Sequence, residues 1–229
     1  MTSRFLVRLA LATAALGFGS LAQAEMVLSQ VIVDLMPDKA PRDDIEVWNN
    51  GPDRMYVAAD PFEIRNPGTP QEQRVAAGDP EQAGLLVAPE RLVLEPGERR
   101  VIRVAIVGQR PASDRVFRIA IRPVAGAVTA DQSALKVLVG YDALVLVRPA
   151  QIIGDVTGRR SGKALTLTNA GDTAQELFGG RQCDSAGKDC RDLPAKRLYS
   201  GASWIQALPF DTPVTYEARI GATVRERTF

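Results

Sequence analysis

Beyond residue 25, short runs rich in Val, Ile and Leu alternate with clusters of Gly, Pro, Asn and Asp, and no stretch keeps a helical period for long. The runs predict strands at 27–35, 44–49, 55–60, 99–107, 115–122 and 135–147. They continue at 164–168, 175–182, a short piece around Trp204, and 214–220. Turns stand out at Asn49-Asn50-Gly51-Pro52, Asn66-Pro67-Gly68, Glu95-Pro96-Gly97 and Asn169-Ala170-Gly171-Asp172. Frequent short strands with such punctuation predict an all-β chain built as antiparallel sandwiches. No internal repeat is readable by eye.

The longest run, 135–147, is also the most informative, since an ordinary strand has ~5–6 residues. Leu135, Val137, Val139 and Tyr141 share one face, and Lys136, Leu138, Gly140 and Asp142 the other. Beyond Ala143 both faces are apolar, which predicts burial on both sides there. The first half therefore reads as an edge and the second half as core. An exposed apolar edge is a hazard that proteins normally suppress, unless the edge is meant to pair with a partner. Alternation alone leaves an ordinary core strand open as the other reading. Arg148-Pro149 ends the run and marks a boundary, giving a first domain of residues 25–149 and a small second β domain of residues 150–229. The polar stretch 67–84 reads as a mobile loop.

The first 24 residues stand apart. Arg4 and Arg8 precede an apolar run, and Ala22-Gln23-Ala24 closes it with small residues, the pattern of a cleaved secretory signal. An uncleaved anchor is the competing reading, but the run is shorter than the ~20 residues a spanning helix needs. Export with no later membrane insertion follows. Without Arg4 and Arg8, the 28 basic residues fall to 26 against 27 acidic ones, and no basic tail suggests nucleic acid.

Histidine is absent, which removes Ser-His-Asp and Cys-His catalysis and histidine metal sites. Cys183 and Cys190 in an exported chain predict a disulfide closing a short hairpin, with a metal or redox pair as the alternative. No nucleophile elbow, zinc-ligand set or phosphate loop is present, so neither an enzyme nor a cofactor or metal is expected. Trp48, Trp204 and Tyr216 read as core or interface aromatics.

Three segments carry a resemblance. Val87-Ala88-Pro89-Glu90-Arg91-Leu92 continues through Glu95-Pro96-Gly97 into the arginine-bearing stretch at 99–103. Asp114-Arg115-Val116-Phe117-Arg118 follows, and the run ending in Val147-Arg148-Pro149 comes last. In this order they are similar to the PapD-like periplasmic chaperones of pilus and fimbrial assembly, of which the chain looks like a divergent member. The second domain matches only loosely, around Leu198-Tyr199-Ser200-Gly201. The resemblance implies two immunoglobulin-like domains in a boomerang, located in the periplasm. It implies a chaperone that lends its 135–147 strand to pilus subunits and delivers them to an outer-membrane usher. A structural pilus or surface component of the same sandwich class is the alternative.

Carried over by position, Leu135, Val137, Val139 and Tyr141 would enter the subunit. The family's arginine–lysine anchor for the subunit's terminal carboxylate falls on Gln30 and Leu144, neither of which is charged. Arg103, Arg118 or Arg122 could substitute, or could be solvated strand residues. Arg91 and Asp114 fall at positions associated with a structural salt bridge near the domain junction.

Overall fold

The structure, a computed structural model, describes residues 25–124 and 138–229. The expected signal at 1–24 and two of the candidate binding residues, Leu135 and Val137, lie outside them.

The part before Pro149 contains β1 (Met26–Leu28), β2 (Ile32–Leu35), β3 (Arg42–Asn49), β4 (Met55–Arg65) and β5 (Gln73–Ala76). It continues with β6 (Leu85–Ala88), β7 (Arg91–Leu94), β8 (Arg99–Ile106), β9 (Arg115–Val124) and β10 (Tyr141–Val147). One sheet has the order β1-β3-β8-β6. The other runs β2-β10-β9-β4-β5, with β7 also paired to β4. Alternation places Ile45 and Val47 of β3 and Ile102 and Val104 of β8 on one inner face. Opposite them lie Val57 and Ala59 of β4, Phe117, Ile119 and Ile121 of β9, and Ala143, Val145 and Val147 of β10. Two sheets packed through alternating inward residues make a β-sandwich.

After Pro149 come β11 (Val156–Ser161), β12 (Ala164–Asn169), β13 (Gln175–Cys183) and β14 (Cys190–Leu193). Then follow β15 (Lys196–Leu198), β16 (Ser203–Ala207), β17 (Thr215–Ile220) and β18 (Thr223–Thr228). One sheet is β11-β12-β16. The other is β14-β13-β17-β18, with β15 also paired to β13. Their shared core is small: Val156, Leu165 and Leu167 on one side, Leu177, Tyr216 and Ala218 on the other. The Cys183–Cys190 disulfide ties β13 to β14 at their last paired residues.

Several expected elements are divided differently. The run 27–35 is two strands in two sheets: β1 lies antiparallel to β3, and β2 lies parallel to β10. The chain crosses between sheets at Ser29–Gln30, where the Ser29 hydroxyl accepts from the Glu46 amide and so replaces a ladder bond. The run 135–147 is a strand only from Tyr141 on, among the described residues. The stretch 67–84 is not a mobile loop throughout. It contains β5, paired to β4, and one helical turn at Pro80–Ala83, whose first amides are accepted by the Asp79 carboxylate.

A buried asparagine holds a turn in each half. Asn49 Nδ2 donates to the carbonyls of Asp53 and Leu94, and its Oδ1 accepts from the Gly51 amide. Asn169 Nδ2 donates in the same way to Thr173 and Leu198, and its Oδ1 accepts from Gly171.

Candidate functional site

Ala143 to Val147 of β10 are buried on both faces. Ala143, Val145 and Val147 enter the sandwich core, while Leu144 and Leu146 turn outward and pack with Ile64, Val116 and Tyr199. One edge of β10 is paired along its whole length with β9. The other edge is paired with β2 only from Leu144 to Val147, and the Leu144 amide donates to the Val31 carbonyl at 2.8 Å. Tyr141 to Ala143 therefore have no strand partner on that side among the described residues. Exposed aliphatic side chains lie on the segments that flank this gap: Val31 and Ile32 where the chain enters β2, Leu138 and Val139 where it leads into β10. Val139 is 55 % exposed.

Tyr141 is placed differently from its expected role. Its ring packs against the sandwich core and its hydroxyl donates to the Met26 carbonyl at 2.9 Å, so this chain's own fold already uses it. Val139 is the candidate binding residue that the described structure leaves exposed.

The outward face beside the gap is a lattice of arginines around carboxylates. Asp142 is held by Arg74 through two bonds of 2.8 and 3.1 Å, with Arg118 at 3.9 Å. Asp60 is shared by Arg91 at 2.9 Å and Arg122 at 2.8 Å. Register brings Asp60, Arg118, Arg122 and Asp142 to neighbouring outward positions on β4, β9 and β10, while Arg91 reaches Asp60 from β7 and Arg74 reaches Asp142 from β5.

Of the candidate anchor positions, Gln30 donates to the Asp44 carbonyl and to Asp43, and Leu144 is buried among apolar neighbours. Arg103 forms a two-point pair with Asp44, whose carboxyl it holds below the ordinary aspartate value through that hydrogen bond. Arg118 donates to the Asp142 carbonyl. Each of the three arginines is thus already matched.

Arg91 and Asp114 do not pair with each other. Arg91 binds Asp60, and the partner of Asp114 is Arg148, which sequence reasoning passed over as the end of a strand motif. Arg148 is 1 % exposed. Its guanidinium donates to both oxygens of Asp34 at 2.6 and 2.9 Å, and to Asp114, Thr173 and the Ala174 carbonyl at 2.7–2.8 Å. Asp114 in turn accepts from the Thr173 hydroxyl and the Ala174 amide. The cluster joins β2, the loop before β9 and the turn before β13, so it locks the two pairs of sheets together. A signal was present: Arg148 continues directly from a run that is apolar on both faces, and a charge buried there must be paired.

Beside this lock is a cleft of about 340 Å³ lined by Asp34, Lys39, Arg148, Glu176, Arg197 and Arg219, among others. Glu176 lies 3.5 Å from Arg197 and 3.6 Å from Arg219, and Lys39 has no carboxylate partner among the described residues. Positive side chains outnumber negative ones here. Among the described residues no three metal-ligating side chains converge, and no helix is long and apolar enough to cross a membrane.

No family model and no curated protein matches the chain. Solved structures do. The class 5 fimbriae chaperone CfaA is 19% identical, with a TM-score of 0.66 over 89% of this chain and 98% of that one. The SafB chaperone of Salmonella enterica, solved in complex with the SafA pilin, is 13% identical, with a TM-score of 0.62 over 92% and 99%. The CsuC–CsuE chaperone–tip adhesion subunit complex of Acinetobacter baumannii matches at 12% identity, with a TM-score of 0.60 over 90% and 98%. At such identities the shared property is the fold, and it extends over nearly the whole chain.

Proposed function

We propose that this chain, which has the fold of the fimbrial chaperones, is itself a periplasmic chaperone of pilus assembly. In this reading it holds a pilus subunit that lacks a strand by lending the segment that leads into β10, and passes the subunit to an outer-membrane usher. The observation that carries the proposal is the half-paired edge of β10. A strand whose core half is buried on both faces, and whose leading half ends in exposed aliphatic residues beside an unpaired edge, suits strand addition. Leu135, Val137 and Val139 would supply the side chains, each worth about 1.5–3 kcal/mol when fully buried.

Residues 25–149 and 150–229 would act as two domains after removal of 1–24. The terminal-carboxylate anchor, which Gln30 and Leu144 cannot provide by charge, would come from the cleft, where Lys39 is the unmatched cation beside Arg197 and Arg219. A carboxylate accepting from these groups gains charge-assisted hydrogen bonds.

The test is co-production with the pilin-like proteins of the same cell, followed by purification of complexes from the periplasm. Val139→Asp is expected to weaken complex formation at least about tenfold, because it places a charge where an aliphatic group is buried. Lys39→Glu should weaken it too, without changing the chaperone's own stability. Recovery of the subunit at wild-type levels with Val139→Asp would overturn the strand-lending role. Fibres formed by the purified chain alone would favour a structural component instead.

A further inference from the structure

Arg110 lies half-buried in the loop between β8 and β9 and has no carboxylate partner among the described residues. Its guanidinium binds backbone instead. Nη1 donates to the Leu35 carbonyl at 2.7 Å and to the Arg148 carbonyl at 3.0 Å, and Nη2 donates to the Met36 carbonyl at 2.8 Å. Leu35 ends β2, and its partner Val147 ends β10, so the three carbonyls come from the point where two parallel strands leave their sheet. The rigid fork of an arginine spans such a set of acceptors, which a single ammonium does not.

The Met36 carbonyl is the informative one. It also accepts from the Lys39 amide at 3.3 Å, which closes the turn Met36-Pro37-Asp38-Lys39. A carbonyl oxygen has two lone pairs, and here Arg110 takes one and the turn takes the other. The peptide plane at the root of the turn is thereby fixed, and the ring of Pro37 fixes the next backbone angle. On its far side the turn leans on the second pair of sheets: a Cβ at Gly221 would fall 2.8 Å from Met36 Cε. Met36, Lys39 and Gly221 all line the cleft beside Arg148, whereas Arg110 does not. Arg110 acts on the cleft through backbone.

We propose that Arg110 is a positioning residue for the carboxylate anchor: it sets the turn that presents Lys39 to the cleft, and touches no ligand itself. This rests on the reading that the cleft receives a subunit's terminal carboxylate. Without Arg110 the Met36 carbonyl keeps only the longer bond from Lys39, and the ammonium loses the one position from which it donates. Affinity for a free carboxylate then falls, while affinity for the same chain end capped as an amide does not.

The test titrates acetyl-trialanine, as the free acid and as its C-terminal amide, into the whole mature protein, followed by the Met36 and Lys39 amide resonances. The wild type is expected to prefer the acid at least about tenfold, the size of one hydrogen bond to a charged group. Lys39→Gln should lose most of that preference. Arg110→Gln should lose as much with binding of the amide unchanged, and the double variant should be no worse than Lys39→Gln. Arg110→Lys keeps a cation at the carbonyls, so it should fold even where Arg110→Gln does not, and should still lose about fivefold because an ammonium lacks the fork. Acid and amide weakened together in both Arg110 variants would overturn the proposal, since a merely structural role has that effect. So would an acid preference kept in both Arg110 variants while Lys39→Gln loses it, a result that leaves the carboxylate reading standing. A preference kept in Lys39→Gln, or absent from the wild type, would remove that reading and the proposal with it.

Discussion

Arg148→Ala is expected to cost about 3–5 kcal/mol of unfolding free energy at neutral pH, read by urea denaturation, because it strips the partner from a buried charge. The Asp114 side chain is only 2 % exposed, and Arg148 supplies its counter-charge. Desolvation acts to lower the pKa of Arg148, but its hydrogen bond to Asp34 and the charges of Asp114 and Asp34 outweigh it and hold the group above its ordinary value. At Asp114 burial wins, and pushes the carboxyl up even with Arg148 beside it. In the fold Asp114 thus takes up a proton at higher pH than in the unfolded chain, whose reference value is 3.8. Its contribution favours the fold below 3.8 and is lost as pH rises through the raised folded value. Removing Arg148 raises that value further and widens the window. The deficit of Arg148→Ala should therefore be largest at pH 7 and shrink as pH approaches 3.8. A deficit equal at both pH values would mean that Asp114 is not the group left stranded.

Tyr216→Ala should be equally damaging, with a loss of about 3–5 kcal/mol from deleting a buried ring. The residue is 0 % exposed and sits at the centre of the small second core, edge-on to Trp204 at 6.1 Å and to Phe229 at 6.5 Å. Gly180 is shaped around it, since a Cβ there would fall 2.3 Å from the ring. A core of so few residues has little else to share the loss. Fluorescence of Trp204, which lies against the ring, should therefore change at lower urea. Tyr216→Phe keeps the ring and forgoes only a 3.5 Å contact from the hydroxyl to the Pro194 carbonyl, so it should stay near wild type at pH 7. At high pH the two diverge. Burial pushes the phenol from 10.0 to about 12, so the unfolded chain ionises first and the wild type loses stability as pH rises between these values. Tyr216→Phe should lose less over that range. A parallel decline would show that the phenol does not titrate with unfolding.

The regular strands were legible because alternation records burial directly: Ile45 and Val47, or Ile102 and Val104, face inward every second residue. The double-sided burial of β10 was legible for the same reason, its apolar residues being continuous from Ala143. Strands without a buried stripe left no such record. In β11 only Val156 is buried, and every residue of β18 is at least partly exposed, so neither is among the expected strands although their ladders are complete. The sheet switch at Ser29 was hidden because the apolar pattern runs on across it while the pairing partner changes. The site divides in the same way. The exposed aliphatic lead into β10 follows from local alternation, but the partners of Arg91 and Asp114 depend on which strands become neighbours. Spacing along the chain cannot specify that.

The paired asparagine locks bear on how this chain can drift. Each lock reads peptide carbonyls and an amide, atoms that every residue presents, so the side chains around it can be exchanged without loosening the turn. What cannot be exchanged is the asparagine, which alone offers donor and acceptor at that reach, and in the second lock the glycine two positions on as well. At Gly171 a Cβ would fall 2.1 Å from the Ile153 carbonyl oxygen. Two halves could diverge until no repeat is readable and still close in the same manner, with Asn49 in one and Asn169 and Gly171 in the other as the residues that selection cannot release.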